Sequence, residues 1–302
     1  MTVVGFGLSL VDLLVISDTH VELNTKNRIA RRILQFGGPV PTALVVLSRL
    51  GISCTISTVR GDDAFGKMLE DIFTKEHVWQ QNIKILSGAE TPTAVVIIDK
   101  TVGERTIFYS TGMFATVDPA VFPQNLDEQT KMLIIDGHNY ACANAFIDQA
   151  RKVHATVLLD VGTPKKDIDK LIDLADVVFV PRSYWTAVYK TIAPENIPAE
   201  IIKRGPKTVV ITMEADGCIV ADRNGVFHQP AYKIKAVDTN GAGDVFLGAF
   251  AYGLLQQWDL KQTAQFTSAT AALKCTKIGK DESLPHSKVS IDQFIAEYDK
   301  GV

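Results

Sequence analysis

Short runs rich in Val and Ile alternate along this chain with longer stretches of helical periodicity, and this alternation constrains its fold most. Elements in this order form a mostly parallel sheet with helices on both faces. The runs are almost continuously apolar, as strands buried on both faces require. The strand candidates are Val3–Leu8, Thr55–Val59, Met132–Ile135, Thr156–Leu159, Val177–Val180 and Val209–Thr212. We therefore expect a doubly wound, three-layer α/β/α sandwich.

Helical patterns fill most gaps between these runs, for example Pro41–Leu50, Phe65–Lys75, Ala143–Lys152 and Lys166–Leu174. Two segments break the alternation, because Leu13–Phe36 and Thr93–Ser110 have strand character and no helix between their runs. We predict that a small β lid, formed by about 13–36 and 91–112, is inserted in a single domain that spans residues 1–302. A plain surface hairpin is the alternative.

Two hairpins are also expected. Val95–Ile98 and Thr106–Tyr109 flank the turn Val102-Gly103-Glu104. Later in the chain, Gly217–Asp222 and Phe227–Tyr232 flank Asn224-Gly225, a dipeptide that suits a two-residue turn.

Composition excludes several classes of protein. The chain has 302 residues, 46% apolar and 22% charged, with a net charge of −3, so it is globular and lacks the basic balance of nucleic-acid or membrane-surface proteins. Its four cysteines are scattered and its six histidines are isolated, which predicts neither a disulfide framework nor a metal site. No signal peptide is evident, and no apolar run approaches the roughly 18 residues of a membrane span. A soluble, cytoplasmic protein is expected.

The most informative segment is Asp238–Asp244, DTNGAGD, which runs directly into the apolar sequence Val245–Leu255. A helix that is apolar all round must be buried, so its N-terminus faces protein or a ligand rather than bulk water. Unpaired N–H groups and the helix dipole at that end favour a phosphate. Gly241, Ala242 and Gly243 let phosphate oxygens approach the backbone closely. These three residues form the predicted anion hole.

Asp244, in the first turn of that helix, has the chemistry of a catalytic base. A carboxylate beside an anion hole can accept the proton of an attacking hydroxyl while backbone donors stabilise the moving phosphoryl group. The alternative is that Asp244 only caps the helix and the glycines only turn the chain.

Two partial matches to other nucleotide-binding motifs fail. Gly61-xxxx-Gly66-Lys67 is close to a P-loop, but Met68 stands where Ser or Thr must bind magnesium. Gly5-x-Gly7 follows a strand as in dinucleotide-binding proteins, but Leu10 replaces the third glycine. An oxidoreductase also leaves Asp238–Asp244 unexplained.

The DTNGAGD segment resembles the C-terminal signature of the pfkB carbohydrate kinases, the ribokinase-like superfamily. Gly37-Gly38 resembles the N-terminal glycine pair of that family, and Gly61–Gly66, GDDAFG, resembles its GDDxFG turn. Gly103–Thr106 falls where family members have a lid hairpin. The resemblance spans nearly the whole chain and implies a ribokinase-like fold with a β-sheet lid.

The resemblance also implies roles for individual residues. Asp244 matches the catalytic base, with Gly241, Ala242 and Gly243 as the anion hole. Asp12, predicted to close the first strand, matches the carboxylate that binds sugar hydroxyls. The other residues assigned to the acceptor are Gly37, Gly38, Thr42, Arg105, His138 and Asp238. Those assigned to the nucleotide are Thr212, Glu214, Gly217, Gly241, Gly243, Cys275 and Gly279. ATP is the implied cofactor, with Mg²⁺ carried on it, and the resemblance leaves a monovalent cation open.

Three single positions and one segment depart from the family pattern. Thr42 stands where many members have Asn, Glu214 where many have Gly, and Arg182–Trp185 replaces an NxxE motif. His138 stands where ketose-specific relatives tend to have Arg. Within the family, Ala272–Cys275 and Val177–Val180 are most similar to ketohexokinases, whereas Gly37–Thr42 and Phe227–Tyr232 are similar to bacterial sulfofructose kinases.

We therefore expect an ATP-dependent kinase that phosphorylates a primary hydroxyl of a small sugar, a ketohexose or ketose derivative. The alternatives are a kinase of the same fold for a nucleoside or an acidic or sulfonated sugar, and a non-catalytic sugar-binding protein. Apolar residues occur on both faces of the lid hairpin, namely Val95, Val96, Ile97, Ile98, Ile107 and Tyr109. One face can cover a sugar and the other a second lid, so a homodimer through the lid is expected.

Overall fold

The computed structural model describes residues 2–99, 101, 104–122 and 126–299. Its strands form two sheets, one of nine strands and one of four. The strands of the large sheet are β1 (Thr2–Phe6), β4 (Ser53–Gly61), β5 (Val78–Leu86), β8 (Thr130–Asp136), β9 (Thr156–Asp160), β10 (Val177–Pro181), β11 (Thr208–Thr212), β12 (Cys218–Asp222) and β13 (Gly225–Gln229). Those of the small sheet are β2 (Leu10–Ser17), β3 (Arg31–Gly37), β6 (Thr93–Asp99) and β7 (Glu104–Ser110).

The large sheet has the order β13-β12-β11-β10-β9-β8-β1-β4-β5. Its strands pair in parallel from β5 to β11, while β12 and β13 are antiparallel at one edge. Asp222 pairs with Gly225, so the two-residue loop of this hairpin is Arg223-Asn224 and not the predicted Asn224-Gly225. The left-handed backbone of the turn region belongs to Gly225.

Helices cover both faces of the large sheet. They are α1 (Pro39–Arg49), α2 (Ala64–Lys75), α3 (Tyr140–Lys152), α4 (Ile168–Leu174), α5 (Arg182–Val188), α6 (Ile197–Ile202), α7 (Ala242–Leu255), α8 (Leu260–Cys275), α9 (Lys280–Ser283) and α10 (Lys288–Asp299). Successive residues of β8 enter two separate apolar cores, since Met132 and Ile134 lie in one and Leu133 and Ile135 in the other. The predicted three-layer sandwich is confirmed.

The small sheet has the order β3-β2-β6-β7, and it mixes parallel and antiparallel pairs. Its central strands β2 and β6 are parallel, and each pairs with an antiparallel edge strand. Asp12 lies inside β2, three residues into the strand, so the prediction that it closes the first strand is wrong. β1 ends at Phe6, and the chain leaves the large sheet before it reaches Asp12.

Within the described residues, no helix combines the length and the apolar character that crossing a membrane requires. All four cysteines are buried thiols.

Candidate active site

The candidate site lies at the carboxyl ends of the parallel strands, where open α/β sheets bind their ligands. Asp136 ends β8 and Asp160 ends β9, and the two are direct partners in the parallel register. The Asp136 carboxylate accepts hydrogen bonds from the backbone N–H groups of Leu8, at 2.8 Å, and His138, at 3.1 Å. It therefore ties β8 to the segment that follows β1.

Helix α7 begins at the point that the glycine-rich segment predicts. Its N-cap residue, Gly241, has the left-handed conformation φ 79°, ψ 8°, which an L-residue with a side chain rarely adopts. No side chain caps this helix end at Gly241. Around Gly243, nothing lies within 4 Å of the position that a Cβ would occupy. The N–H of Ala242 donates to the carbonyl of Thr239, at 3.2 Å. The start of α7 is thus open at Gly243, where a ligand oxygen could approach the backbone, as an anion site requires.

Asp244 belongs to a group of interacting carboxylates. Burial raises the pKa of Asp12, the Asp244 carboxylate raises it further, and the Lys280 ammonium opposes both. Burial also raises the pKa of Asp160 to about 6, and Asp244 again contributes to that rise. Asp244 therefore interacts with both the small-sheet carboxylate Asp12 and the strand-end carboxylate Asp160. The structure therefore brings the predicted base and the predicted sugar ligand together.

Lys280 lies between Asp12 and the start of α7, although its side chain is only 2% exposed. Its Nζ donates to the carbonyl of Phe36, at 3.0 Å, and to Oγ1 of Thr42, at 2.9 Å. It lies 3.9 Å from Oδ2 of Asp12. A Cβ on Gly241 would be 3.2 Å from Cε of Lys280 and 3.6 Å from Oδ2 of Asp244. Sequence analysis did not identify Lys280.

A second buried lysine holds the segment before the anion hole. Lys274 has no exposed surface, and its Nζ lies 2.7 Å from the carbonyl of Asp238 and 3.2 Å from its Oδ2. The Asp238 carboxylate also accepts from the N–H groups of Asn240, at 2.9 Å, and Gly279, at 3.0 Å. With these four contacts, Asp238 braces the loop; its predicted role in acceptor binding stays a prediction.

The glycine pair forms one wall of the site. Gly38 has φ 102°, and a Cβ there would lie 2.0 Å from the carbonyl oxygen of Leu8, so only glycine fits. A Cβ on Gly37 would lie 2.5 Å from Oδ1 of Asp12. Thr42 is fully buried, and its hydroxyl donates to the carbonyl of Gly38, at 2.8 Å, while it accepts from Lys280. Thr42 therefore supports the wall and Lys280.

His138 lines a cavity of about 440 Å³ that extends from the strand ends to the small sheet. Tyr109 and Thr111, at the end of β7, line the same cavity together with Lys165. Burial lowers the pKa of His138 and also that of Lys165. The Lys165 ammonium donates to the carbonyl of Val161, at 2.8 Å. Its charge lies close enough to Asp136 and Asp160 to oppose part of their mutual repulsion.

Apart from Gly241 and Gly243, the residues predicted for the nucleotide occupy two loops. Thr212 ends β11, and the turn to β12 is closed by a hydrogen bond of 2.8 Å from Met213 N–H to the Gly217 carbonyl. In this turn Glu214, at φ 57°, pairs with Arg182 at 3.3 Å, and Arg182 also binds Asp216 at 2.6 Å. Arg182, the first residue of the segment that stands in place of the NxxE motif, thus holds this turn through its two acidic side chains.

Cys275 and Gly279 follow the end of α8. The Cys275 carbonyl accepts from Val237 N–H at 2.8 Å, and the Gly279 N–H donates to Asp238. Both therefore adjoin the start of the segment Asp238–Asp244. The side chain of Arg105, the remaining predicted ligand, lies outside the described residues.

Sequence analysis missed four residues of the site: Asp160, Lys165, Lys274 and Lys280. Asp160 had a detectable signal, because it directly follows a buried strand at the edge where ligands bind. The lysines had none, since lysine side chains are rarely buried and a sequence does not show their partners.

Comparison with known proteins identifies the family of this chain. The model of the pfkB family of carbohydrate kinases matches residues 2–287. An ATP-dependent 6-phosphofructokinase from Thermoanaerobacterium thermosaccharolyticum is 25% identical, over 87% of this chain and 85% of its own. A 5-dehydro-2-deoxygluconokinase from Clostridium botulinum is 26% identical, over 86% of this chain and 84% of its own.

The fold agrees with solved structures. An E. coli protein assigned as a ribokinase II, in complex with ATP and Mg²⁺, superposes with a TM-score of 0.85 at 20% identity, over 98% of this chain and 99% of its own. The predicted ribokinase-like fold is therefore confirmed, and the chain belongs to the pfkB family of carbohydrate kinases.

Proposed function

We propose that this protein transfers the γ-phosphate of ATP to a primary hydroxyl of a small sugar, a ketohexose or ketose derivative. The main support is the position of Asp244: it lies in the first turn of α7, its Oδ2 is 3.6 Å from the point that a Cβ on Gly241 would occupy, and it is close enough to Asp12 to contribute to the raised pKa of that carboxyl. A base, an anion site and a carboxylate that can bind sugar hydroxyls thus share one space. This is the arrangement that phosphoryl transfer to an alcohol requires.

In the proposed reaction, Asp12 and the Gly37-Gly38 wall hold the sugar, and Asp244 accepts the proton of its hydroxyl. The hydroxyl oxygen forms a bond to the γ-phosphorus, and the bond from that phosphorus to the β,γ-bridging oxygen breaks, which releases ADP. Peptide N–H groups of Gly241, Ala242 and Gly243 stabilise the negative charge on the phosphoryl group, and that of Ala242 would share its hydrogen with the Thr239 carbonyl. The small sheet, with Asp12 on one strand, would exclude water and so limit hydrolysis of ATP.

The nucleotide would bind between the turn at Thr212–Gly217 and the segment Cys275–Gly279. Mg²⁺ bound to the phosphates of ATP would neutralise part of their charge. Within the described part of the chain, no group of three or more His, Cys, Asp or Glu residues is arranged to hold a metal ion by itself.

The residues around Asp238 fit a bound monovalent cation poorly. The Lys274 ammonium already contacts the carbonyl and the carboxylate of Asp238. We propose that Lys274 supplies the fixed positive charge of this loop. The rate should then change less than twofold when K⁺ is replaced by tetramethylammonium.

The decisive experiment measures ADP formation with MgATP alone and with a panel of ketoses, sulfonated and acidic sugars, and nucleosides. The proposal predicts stimulation by at least one neutral ketose. Stimulation only by a nucleoside or an anionic sugar would show that the substrate class is wrong. Sugar binding without stimulation by any compound would support a non-catalytic protein instead.

A further inference from the structure

Lys280 is a buried cation that faces the anion hole, and none of the motifs discussed above includes it. We propose that its ammonium binds the phosphoryl group during transfer and so acts as a catalytic residue beside the peptide N–H groups of α7. This inference rests on the proposed kinase function. It adds a charged donor beside the peptide N–H groups to which anion binding is assigned above.

The first argument is position. The point where a Cβ on Gly241 would lie is 3.8 Å from Nζ of Lys280 and 3.6 Å from Oδ2 of Asp244. The ammonium and the base therefore border the same small space, at the first residue of the anion hole. In the proposed reaction, the phosphoryl group that receives the oxygen activated by Asp244 would lie next to this space.

The second argument is the number of donors. An ammonium has three N–H groups, and the carbonyl of Phe36 and the hydroxyl of Thr42 accept two hydrogen bonds from Lys280. Asp12, at 3.9 Å, is beyond hydrogen-bond distance. Within the described residues, this leaves one N–H of Lys280 for a ligand oxygen.

The third argument is rigidity. The Lys280 side chain is 2% exposed, its backbone N–H donates to Oε1 of Gln35 at 2.9 Å, and its Nζ lies 4.8 Å from the centre of the Phe36 ring. A cation held in this way needs little reorganisation when negative charge develops nearby, which is the condition for electrostatic catalysis. The same contacts would also let Lys280 serve only as a structural tie, so the experiment must separate the two roles.

The test compares Lys280→Met, which keeps the length and loses the charge, with Lys274→Met, which removes the other buried ammonium. Removal of one oxyanion donor typically costs ~10²–10³-fold in kcat. We expect a loss of this size in K280M, while the dissociation constants of MgADP and of the sugar change less than about threefold. K274M should show its main effect on thermal unfolding and nucleotide affinity.

A second measurement uses no turnover. MgADP, aluminium fluoride and the acceptor sugar together mimic the transferring phosphoryl group, and a group that acts in the transition state should bind this mixture selectively. K280M should lose at least ~30-fold in affinity for the mixture, relative to MgADP and sugar alone, and Lys280→Arg should recover part of it by restoring the charge.

The two hypotheses can fail separately. If the wild-type protein phosphorylates no acceptor, the proposed function fails. If the wild type is active and folded K280M keeps its kcat within fivefold, or binds the aluminium fluoride mixture as tightly as the wild type, the role of Lys280 is refuted.

Discussion

At the residue scale, buried charges of opposite sign dominate this site. Asp12 and Asp160 have raised pKa values chiefly because they are buried, while Lys274 has a lowered pKa for the same reason. Asp244 links the two carboxylates electrostatically, and Lys280 offsets part of the charge of Asp12. The site thus keeps several charged groups out of water, each near an opposite charge or a backbone donor, as buried ionic groups require.

Asp160 provides a stability prediction that depends on pH. Its pKa of about 6 in the folded protein lies above the ordinary value of an unfolded chain, so the folded state binds this proton more tightly. The contribution of the Asp160 carboxyl to the free energy of unfolding is therefore fully present below pH 4, and it is lost as the pH rises from about 4 to 6. Asp160→Asn removes the ionisation and keeps an oxygen for the N–H of Gly162.

We expect D160N to exceed the wild type in free energy of unfolding by on the order of 2 kcal/mol at pH 7.5, and by much less at pH 4.5. Chemical denaturation at the two pH values measures this difference. If the substitution changed the free energy of unfolding equally at both pH values, Asp160 would not have a raised pKa.

At the residue level, the sequence predicted some members of this candidate site and gave no signal for others. Gly241, Gly243 and Asp244 were identified because a glycine-rich loop that leads directly into a wholly apolar helix is typical of a phosphate site. Lys280 could not be found in this way, because its partners Phe36 and Thr42 are more than 230 residues away. A lone lysine after a helix is usually exposed, so its burial follows only from the tertiary structure.

At the element scale, the segment Gly61–Gly66 connects the large sheet to the small one. Asp63 caps α2 by accepting from the N–H of Gly66 at 2.8 Å, and it also accepts from the N–H of Thr91 at 2.9 Å, just before β6. Thr91 Oγ1 in turn accepts from the N–H of Gly61 at 3.0 Å. The residues that resemble a P-loop therefore form a structural connection at the base of the small sheet.

This connection predicts the cost of two matched substitutions. Asp63→Ala removes a helix cap and leaves Thr91 without its acceptor, so we expect a loss of about 2–4 kcal/mol in the free energy of unfolding. Asp259→Ala removes only the cap of α8, at the N–H of Gln262, and should cost ~1 kcal/mol. Equal losses in the two variants, measured by chemical denaturation, would contradict a linking role for Asp63.

Elements were predictable where a strand is buried on both faces and less so elsewhere. The central residues of β8, Met132–Ile135, and of β10, Val177–Val180, are apolar runs that contact both cores, and their sequences identified them directly. β5, VWQQNIKIL, was missed, because it is an edge strand of the large sheet and mixes exposed and buried residues. The predicted first strand, Val3–Leu8, extends beyond the end of β1 at Phe6, because apolar residues continue through Leu8 and Leu10 into β2.

At the scale of the whole molecule, the small sheet separates two surfaces. Residues that pair across the four strands form rows, and alternate rows face opposite sides. One row is Gln35, Asp12, Ala94 and Tyr109, which includes the carboxylate of the site; the next is Leu34, Leu13, Val95 and Phe108, which is wholly apolar. Leu34 is 45% exposed and Phe108 is 61% exposed.

We propose that this apolar row meets the same row of a second copy, so that the protein is a homodimer. Phe108→Asp should then give a monomer at micromolar concentration by sedimentation velocity, because a charge in the buried row would be desolvated without a partner. Trp79→Asp changes another exposed aromatic residue, on β5, and should leave the dimer intact. A monomeric wild type, or equal effects of both substitutions, would count against this interface.

The whole account depends on Asp244 as the base that acts at the start of α7. The most direct measurement is single-turnover phosphorylation of the best acceptor by Asp244→Asn, which keeps the shape and removes the base. Asp259→Asn, at the start of α8, serves as the control because asparagine also caps helices. We predict a rate loss of at least ~10²-fold in D244N, with wild-type affinity for MgATP and sugar, and little change in D259N. A D244N rate close to that of the wild type would contradict the account.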